Sequence, residues 1–131
     1  CVVCYLFIVF VVFGYRFVIL FYCNIVLLLV PGTVGNVTVV SMSHNTITIT
    51  WHPPVRPNGE IIEYRITYRS LDNNATRILT TDGSLTTADI KNLSANTTYY
   101  IYVTARTGQG AGEQGMIVHV TTGNSWNHRI K

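Results

Sequence analysis

The chain has 131 residues and a formal net charge of +3, and 48% of its residues are hydrophobic. That length leaves room for one small domain. The apolar residues are concentrated at the start, since 27 of the first 30 are hydrophobic and all three cysteines lie there. Residues 31–122 carry six basic and six acidic side chains. The excess positive charge therefore lies outside them and does not indicate nucleic-acid binding.

Residues 1–30 form a hydrophobic segment for which the sequence leaves three interpretations open. As a helix the segment would reach about 45 Å, against roughly 30 Å for a bilayer core, so it could be a transmembrane helix. It could also be a signal sequence, with Arg16 before the apolar stretch 17–30. The third interpretation is translated non-coding sequence joined at Pro31, because the chain begins with Cys and its apolar run matches U-rich codons. Residues 123–131 are expected to be a linker or tail.

From residue 34 onward, apolar or β-branched residues alternate with polar ones, which is typical of half-buried strands. Asn58-Gly59 and Asp82-Gly83 are among the turn signals between the runs. The pattern predicts seven strands, near residues 34–41, 44–51, 61–69, 75–81, 85–91, 98–106 and 116–122. Seven short strands over about 90 residues predict an all-β, immunoglobulin-like β-sandwich.

The cysteine distribution argues against an antibody-type domain. Residues 24–131 contain no Cys, whereas such a domain joins its two sheets with a disulfide. Trp51 also falls on the second predicted strand rather than the third.

Two segments carry a resemblance to a known family. Ile47, Ile49 and Trp51 followed by Pro53-Pro54, and then the run 58–68 with its Asn-Gly turn, resemble the second and third strands of a fibronectin type III module. Residues 93–105, followed by Gly108 and Gly110, resemble the corner and sixth strand of that module. The resemblance covers about residues 31–122 and is closest in kind to modules found in tandem in cell-surface adhesion receptors and receptor-type tyrosine phosphatases.

The resemblance implies roles for particular side chains. Seven of them would meet between the sheets as the structural core: Trp51, Tyr64, Ile66, Leu93, Tyr99, Ile101 and Val103. Tyr99 would be a corner tyrosine, with its hydroxyl bonded to the backbone near residues 93–96. Tyr100 and Tyr102 would point to the outer face, where they are candidates for contacts with a partner.

The motifs of an enzyme or a metal site are not found. No two of His44, His52, His119 and His128 have the spacing of metal ligands, and residues 31–122 hold no Cys. The glycine-rich loop 107–113 lacks the Lys and the following helix of a phosphate site. An Arg-Gly-Asp integrin motif is also absent from the sequence. We therefore expect no catalysis, no metal and no cofactor.

Four Asn-x-Ser/Thr sequons lie in the strand region, at Asn36, Asn74, Asn92 and Asn96. Each is an N-glycosylation candidate if the chain passes through a secretory pathway. The alternative is that a β protein rich in Thr and Asn contains such triplets incidentally.

Together these features predict a non-catalytic, extracellular protein-interaction or spacer module of a cell-surface or matrix protein. The module would lie outside the cell membrane, or be secreted if residues 1–30 are a signal sequence. Neighbouring fibronectin type III modules are the candidate partners. Two alternatives stay open: an ectodomain fragment of a single-pass tyrosine phosphatase or kinase receptor, and an intracellular structural module.

Overall fold

The computed structural model describes residues 30–124, which consist of strands joined by turns and loops. Eight strands follow one another in that part of the chain: β1 (Gly35–Met42), β2 (Ile47–His52), β3 (Ile61–Ser70), β4 (Thr76–Asp82), β5 (Thr87–Ile90), β6 (Thr98–Thr107), β7 (Gly110–Ala111) and β8 (Val118–Thr121). The predictions for residues 1–29 and for the tail from residue 125 lie outside the described residues.

The strands form two antiparallel sheets. One sheet has the order β1-β2-β5, and the other has the order β4-β3-β6 with both β7 and β8 paired to β6. The two sheets enclose one buried apolar cluster. This arrangement confirms the all-β, immunoglobulin-like sandwich predicted from the alternation of residue types.

Strands β3 and β6 form the centre of the larger sheet. They are paired from Tyr64↔Ala105 to Ser70↔Tyr99 in one continuous antiparallel register. Because successive side chains point to opposite faces of a sheet, alternate residues of β6 are fully buried and their neighbours are only partly covered. This single register therefore decides which β6 side chains reach the core and which reach solvent.

The last strand of the sandwich is interrupted. β7 pairs with the end of β6 at Arg106↔Ala111, whereas β8 pairs with its beginning at Tyr99↔Val120. Both segments lie along the same strand, so the sandwich has seven strands when they are counted as one.

The residues between β7 and β8 stay close to β6 without forming regular ladder pairs. Gly112 N–H donates to the Ala105 carbonyl at 2.8 Å, and Gly115 N–H donates to the Val103 carbonyl at 3.1 Å. A Cβ at Gly115 would lie 2.8 Å from that Val103 oxygen. Glycine therefore permits a backbone approach that a larger residue would prevent.

Strand β2 begins at Ile47, three residues later than predicted. The reason is a turn built by Ser43, whose Oγ accepts hydrogen bonds from the backbone N–H groups of Asn45 (3.3 Å) and Thr46 (3.1 Å). Ser and Asn side chains compete in this way with strand pairing. The residues 44–46 therefore belong to the β1–β2 turn.

The described chain begins and ends at opposite poles of the sandwich. At the N-terminal pole, Asn58 Nδ2 donates to the Val30 carbonyl at 2.8 Å. At the C-terminal pole, Gly123 N–H donates to the Ser43 carbonyl at 3.0 Å, directly beyond the end of β1. The eight residues of β1 span the distance between the two poles.

Candidate interaction surface

The side chains predicted to form the core occupy the space between the sheets. They belong to one buried cluster: Trp51, Tyr64, Ile66, Leu93, Tyr99, Ile101 and Val103. The rings of Trp51 and Tyr64 meet edge to face, with centroids 5.2 Å apart. Burial raises the pKa of the Tyr64 hydroxyl, and the adjacent Trp51 side chain partly offsets that rise. These aromatic rings are therefore packed inside the module and are not available to a ligand.

Tyr99 closes the loop that precedes its own strand. The Ser94 backbone N–H donates to the Tyr99 hydroxyl oxygen at 2.9 Å. Beside it, Thr97 N–H donates to Thr122 Oγ1 at 3.0 Å, and Thr122 Oγ1 donates to the Ser94 carbonyl at 2.6 Å. Thr97 and Thr122 are both buried. This network attaches the loop before β6 to the residue after β8.

The four sequon asparagines share one backbone conformation. They are exposed, and all have positive φ: 40° at Asn36, 56° at Asn74, 58° at Asn92 and 51° at Asn96. Asn58 is the one other non-glycine residue with positive φ in the described part of the chain. Asn is among the few residues that adopt this left-handed region at low cost. The backbone conformation therefore favours Asn at these positions, independently of any glycan.

The sequons are also unevenly distributed over the surface. Asn96 N–H donates to the Gly123 carbonyl at 3.1 Å, and Leu93 N–H, next to Asn92, donates to the Asn45 carbonyl at 3.0 Å. Asn74 follows the end of β3, which pairs with the beginning of β6. Three sequons therefore lie at the C-terminal pole. Asn36 lies in an irregular stretch of β1, on the smaller sheet.

The outer face of the larger sheet carries most of the charged and aromatic side chains that the strands expose. On β3 these are Arg65 and Arg69, with Thr67 between them. The register places Tyr102 beside Thr67 and Tyr100 beside Arg69. We call this surface, formed by the outward side chains of β3, β4, β6 and β8, the tyrosine–arginine face.

One row of this face is a stack of three side chains from three strands. The Arg69 guanidinium lies 5.5 Å from the centroid of the Tyr100 ring. On the other side of Tyr100, the His119 ring meets the tyrosine ring edge to face, with ring centroids 4.2 Å apart. An arginine held over an aromatic ring is a cation–π contact. Arg69 makes no ion pair within residues 30–124.

A second row of this face consists of charged side chains that form ion pairs. Glu63 Oε1 accepts from Arg106 at 3.1 Å and lies 3.5 Å from Arg65. One carboxylate therefore faces two guanidinium groups. These side chains are between about a quarter and a half exposed, so the pairs order the face more than they stabilise the fold.

Tyr102 divides the face into two shallow grooves. One, of about 330 Å³, is lined by Arg69, Tyr100 and His119. The other, of about 300 Å³, is lined by Arg65, Arg106 and Ile78. Thr67 lines both grooves and is only 7% exposed, which makes it their common floor.

Residues 30–124 bring no three His, Cys, Asp or Glu side chains close enough to hold a metal ion. Over the same range no helix is long and apolar enough to cross a membrane. The glycine-rich loop 107–113 includes the two-residue strand β7 and a turn in which Gln109 N–H donates to Thr107 Oγ1 at 3.3 Å.

Comparison with known proteins assigns the fold to a family. Residues 32–121 match the family model of the fibronectin type III domain. The chain belongs to the fibronectin type III family. The FN5 domain of Drosophila Lar superposes on this module with a TM-score of 0.62 at 24% identity, over 73% of this chain and 100% of that one.

Similar sequences occur in receptors and adhesion molecules. The module is 36% identical over 83 residues to ephrin type-A receptor 4-A of Xenopus laevis, covering 63% of this chain and 8% of the receptor. It is 30% identical over 96 residues to neural cell adhesion molecule L1 of Takifugu rubripes, covering 71% of this chain and 8% of that protein. The chain thus spans less than a tenth of the length of these curated relatives.

Sequence reasoning identified Tyr100 and Tyr102 as outward side chains but not the stack they belong to. The sequence pattern by itself connects neither His119 nor the arginines with these tyrosines. The period-2 pattern already placed Arg65, Thr67 and Arg69 on one face. What it did not supply was the alignment of β3 with β6 and β8, which puts Arg69, Tyr100 and His119 in one row.

Proposed function

We propose that this fibronectin type III module is a non-catalytic, extracellular protein-interaction or spacer module of a cell-surface protein. The observation that carries the proposal is the relatedness to a single stretch of much longer ephrin receptors and of an L1 adhesion molecule. A module that covers 8% of such proteins contributes one structural unit to them. Its surface fits such a unit, because Trp51 and Tyr64 are enclosed and the commonest exposed residues of the strands are Thr and Arg.

Glycosylation is part of this proposal. Asn74 is exposed in the turn between β3 and β4, and the hydroxyl-bearing Thr76 two residues later is exposed as well. A glycan at this turn would extend away from both sheets. The same holds for Asn92 and Asn96 at the C-terminal pole.

The experiment that tests the proposal labels the endogenous product on intact cells. Cells are treated with a membrane-impermeant biotin reagent, and the product is detected with an antibody to residues 31–122 before and after enzymatic removal of N-glycans. We expect labelling without permeabilisation and a loss of mass after deglycosylation. Labelling only after permeabilisation would instead support an intracellular structural module.

A matched variant makes the glycan readout specific. Thr76→Ala removes the sequon at Asn74 but leaves the asparagine that the positive φ requires. Replacing Asn74 itself would combine two effects, since most other residues are strained at φ 56°. We expect Thr76→Ala to abolish the part of the mass shift that a glycan on Asn74 contributes.

A second candidate is the ectodomain of a single-pass signalling receptor, and the similarity to an ephrin receptor favours it. It differs from the first in what the complete transcript encodes. A membrane-spanning segment followed by a kinase or phosphatase domain downstream of the module would support the receptor.

A further inference from the structure

The tyrosine–arginine face differs from the rest of the surface in its charge. The body of the face holds three guanidinium groups, those of Arg65, Arg69 and Arg106, against the single carboxylate of Glu63. The other carboxylate, that of Asp82, lies at the margin and accepts hydrogen bonds from Ser84. The module as a whole has equal numbers of acidic and basic groups over residues 31–122. The face is therefore a local positive region on a neutral module.

The arrangement of Arg69 suits the capture of a carboxylate. Its guanidinium contacts Tyr100 and faces no acidic side chain within residues 30–124. An arginine already held by an aromatic ring loses less conformational freedom when it binds than a mobile one does. Its N–H donors match the two oxygens of a carboxylate.

The spacing on β3 indicates an extended ligand. Arg65, Thr67 and Arg69 point to the same face at intervals of two residues, so the two arginines originate about 14 Å apart along the strand. Between them lies the 7%-exposed Thr67, at the floor of the two grooves beside Tyr102. A strand-like peptide with acidic side chains four residues apart has the same spacing.

None of the four sequon asparagines lines either groove of this face. Asn74, Asn92 and Asn96 lie at the C-terminal pole, and Asn36 lies on the smaller sheet. Asn74 is the sequon nearest to the grooves along the chain, because Thr76, two residues later, pairs with Arg69 and lines both grooves. The outer face of the smaller sheet offers no comparable site, because it is rich in threonine and its Asp89 already accepts from Thr48 at 2.7 Å.

We propose that the tyrosine–arginine face binds an acidic, extended segment of a protein partner, with carboxylates on Arg69 and Arg65 and a side chain between them resting in the grooves beside Tyr102. A polypeptide fits better than a sulfated polysaccharide. Glu63 stands among the arginines and would repel a continuous polyanion, and the exposed Ile78 at 58% offers the apolar contact that a peptide side chain uses.

The test uses the complete 131-residue chain, kept in solution with a mild non-ionic detergent, and a fluorescently labelled peptide with the core Glu-Thr-Tyr-Thr-Glu. In an extended peptide both carboxylates and the tyrosine point to one side. Fluorescence anisotropy measures its binding. The same peptide with Gln in place of both Glu residues should bind at least about tenfold more weakly, because charge-assisted bonds to arginine are lost.

Matched variants of the protein locate the site. Arg69→Gln should weaken peptide binding about tenfold, and Arg69→Lys should weaken it less because the charge remains. Arg77→Gln removes the same charge from an exposed side chain of β4 that the register places opposite Tyr68, on the other side of the sheet. The peptide affinity of Arg77→Gln should stay within about twofold of the wild-type value, because salt screens a charge that lies far from the site.

Three results would overturn the proposal: no binding of the acidic peptide to the wild type, equal loss in Arg69→Gln and Arg77→Gln, or Arg69-dependent binding of a heparin hexasaccharide without binding of the peptide. The inference rests on the function proposed above, but the two fail separately. Peptide binding is measured on purified protein, whatever its cellular location. Surface labelling of cells is read out without reference to this face.

Discussion

Strand β6 directs Tyr99, Ile101 and Val103 into the core, while Tyr100 and Tyr102 face outward from the same backbone. The inward residues are almost completely buried, and their outward neighbours are only partly covered. Tyr99 and Tyr100 are identical, adjacent side chains, yet one holds a loop in place and the other supports an arginine. A single period-2 alternation therefore separates the residues that stabilise the module from those available to a partner.

Substitutions on the two faces should differ several-fold in their effect on the free energy of unfolding. Removing an inward side chain leaves a cavity in a close-packed interior, whereas removing an outward one exposes a site to water. The following predictions test that difference, beginning with the largest expected effect.

Replacing a buried residue of β6 should cost most. Ile101 is completely buried, so Ile101→Ala should lower the free energy of unfolding by ~2–5 kcal/mol through lost burial and a cavity. Thr104→Ala, on the outward face of the same strand, should change it by less than ~0.5 kcal/mol. Urea denaturation followed by tryptophan fluorescence measures both. Similar losses for the two variants would contradict the distinction between the faces.

The adjacent tyrosines provide the most closely matched comparison. Tyr99→Phe removes the oxygen that accepts from Ser94 N–H and should destabilise the module by ~1–2 kcal/mol. Tyr100→Phe makes the same chemical change on the outer face and should stay within ~0.5 kcal/mol of the wild type. Thermal unfolding monitored by circular dichroism distinguishes them. If Tyr100→Phe were the more damaging, the assignment of the corner hydroxyl would be wrong.

At the turns between strands, backbone conformation rather than burial determines what a substitution costs in stability. Asn92 is exposed but has φ 58°, so Asn92→Ala should cost ~1 kcal/mol because Ala lacks the short polar side chain that lets Asn adopt the left-handed region. Asn92→Gly should cost less than Asn92→Ala, since glycine adopts positive φ freely. Unfolding free energies of protein made in bacteria, which excludes any glycan effect, test this. Equal costs would mean that the conformation imposes no preference at this turn.

The smallest effect is expected at the margin of the tyrosine–arginine face. Hydrogen bonds from the Ser84 side chain and backbone hold the pKa of Asp82 below its ordinary value. A lowered folded-state pKa adds stability above the unfolded-state pKa, and that stability is lost as the pH falls through the folded-state value. The stability difference between wild type and Asp82→Asn should therefore shrink as the pH falls through the range in which the Asp82 carboxylate becomes protonated. A difference that grows on acidification would contradict this sign.

Much of this fold follows from local sequence patterns. The alternation of Tyr64 and Ile66 with charged residues predicts both the strand and its buried face, because one side of each sheet must exclude water. The predicted start of β2 lies three residues before Ile47, because the pattern does not show that the Ser43 side chain accepts from two backbone N–H groups of the turn. The interruption between β7 and β8 depends on the close approach of Gly115 to Val103, a non-local contact that no local pattern reveals.

The candidate surface was less predictable than the core. Burial of Ile101 follows from its own strand, but the stack of Arg69, Tyr100 and His119 requires three strands in one register. The sequons illustrate a different difficulty. Asn36, Asn74, Asn92 and Asn96 satisfy a glycosylation motif and a backbone requirement at once. A sequence pattern alone does not separate these two reasons.

The placement of the chain ends at opposite poles has a mechanical consequence. A tensile force applied at residue 30 and residue 123 would pull along the direction of β1, whose ladder to β2 joins Gly35↔His52 through Met42↔Ile47. The ladder bonds would then be loaded together in shear rather than opened one after another. Rupture under tension is governed by the unfolding rate rather than by equilibrium stability. The β1–β2 ladder is therefore the part of the module that opposes a force applied between its two poles.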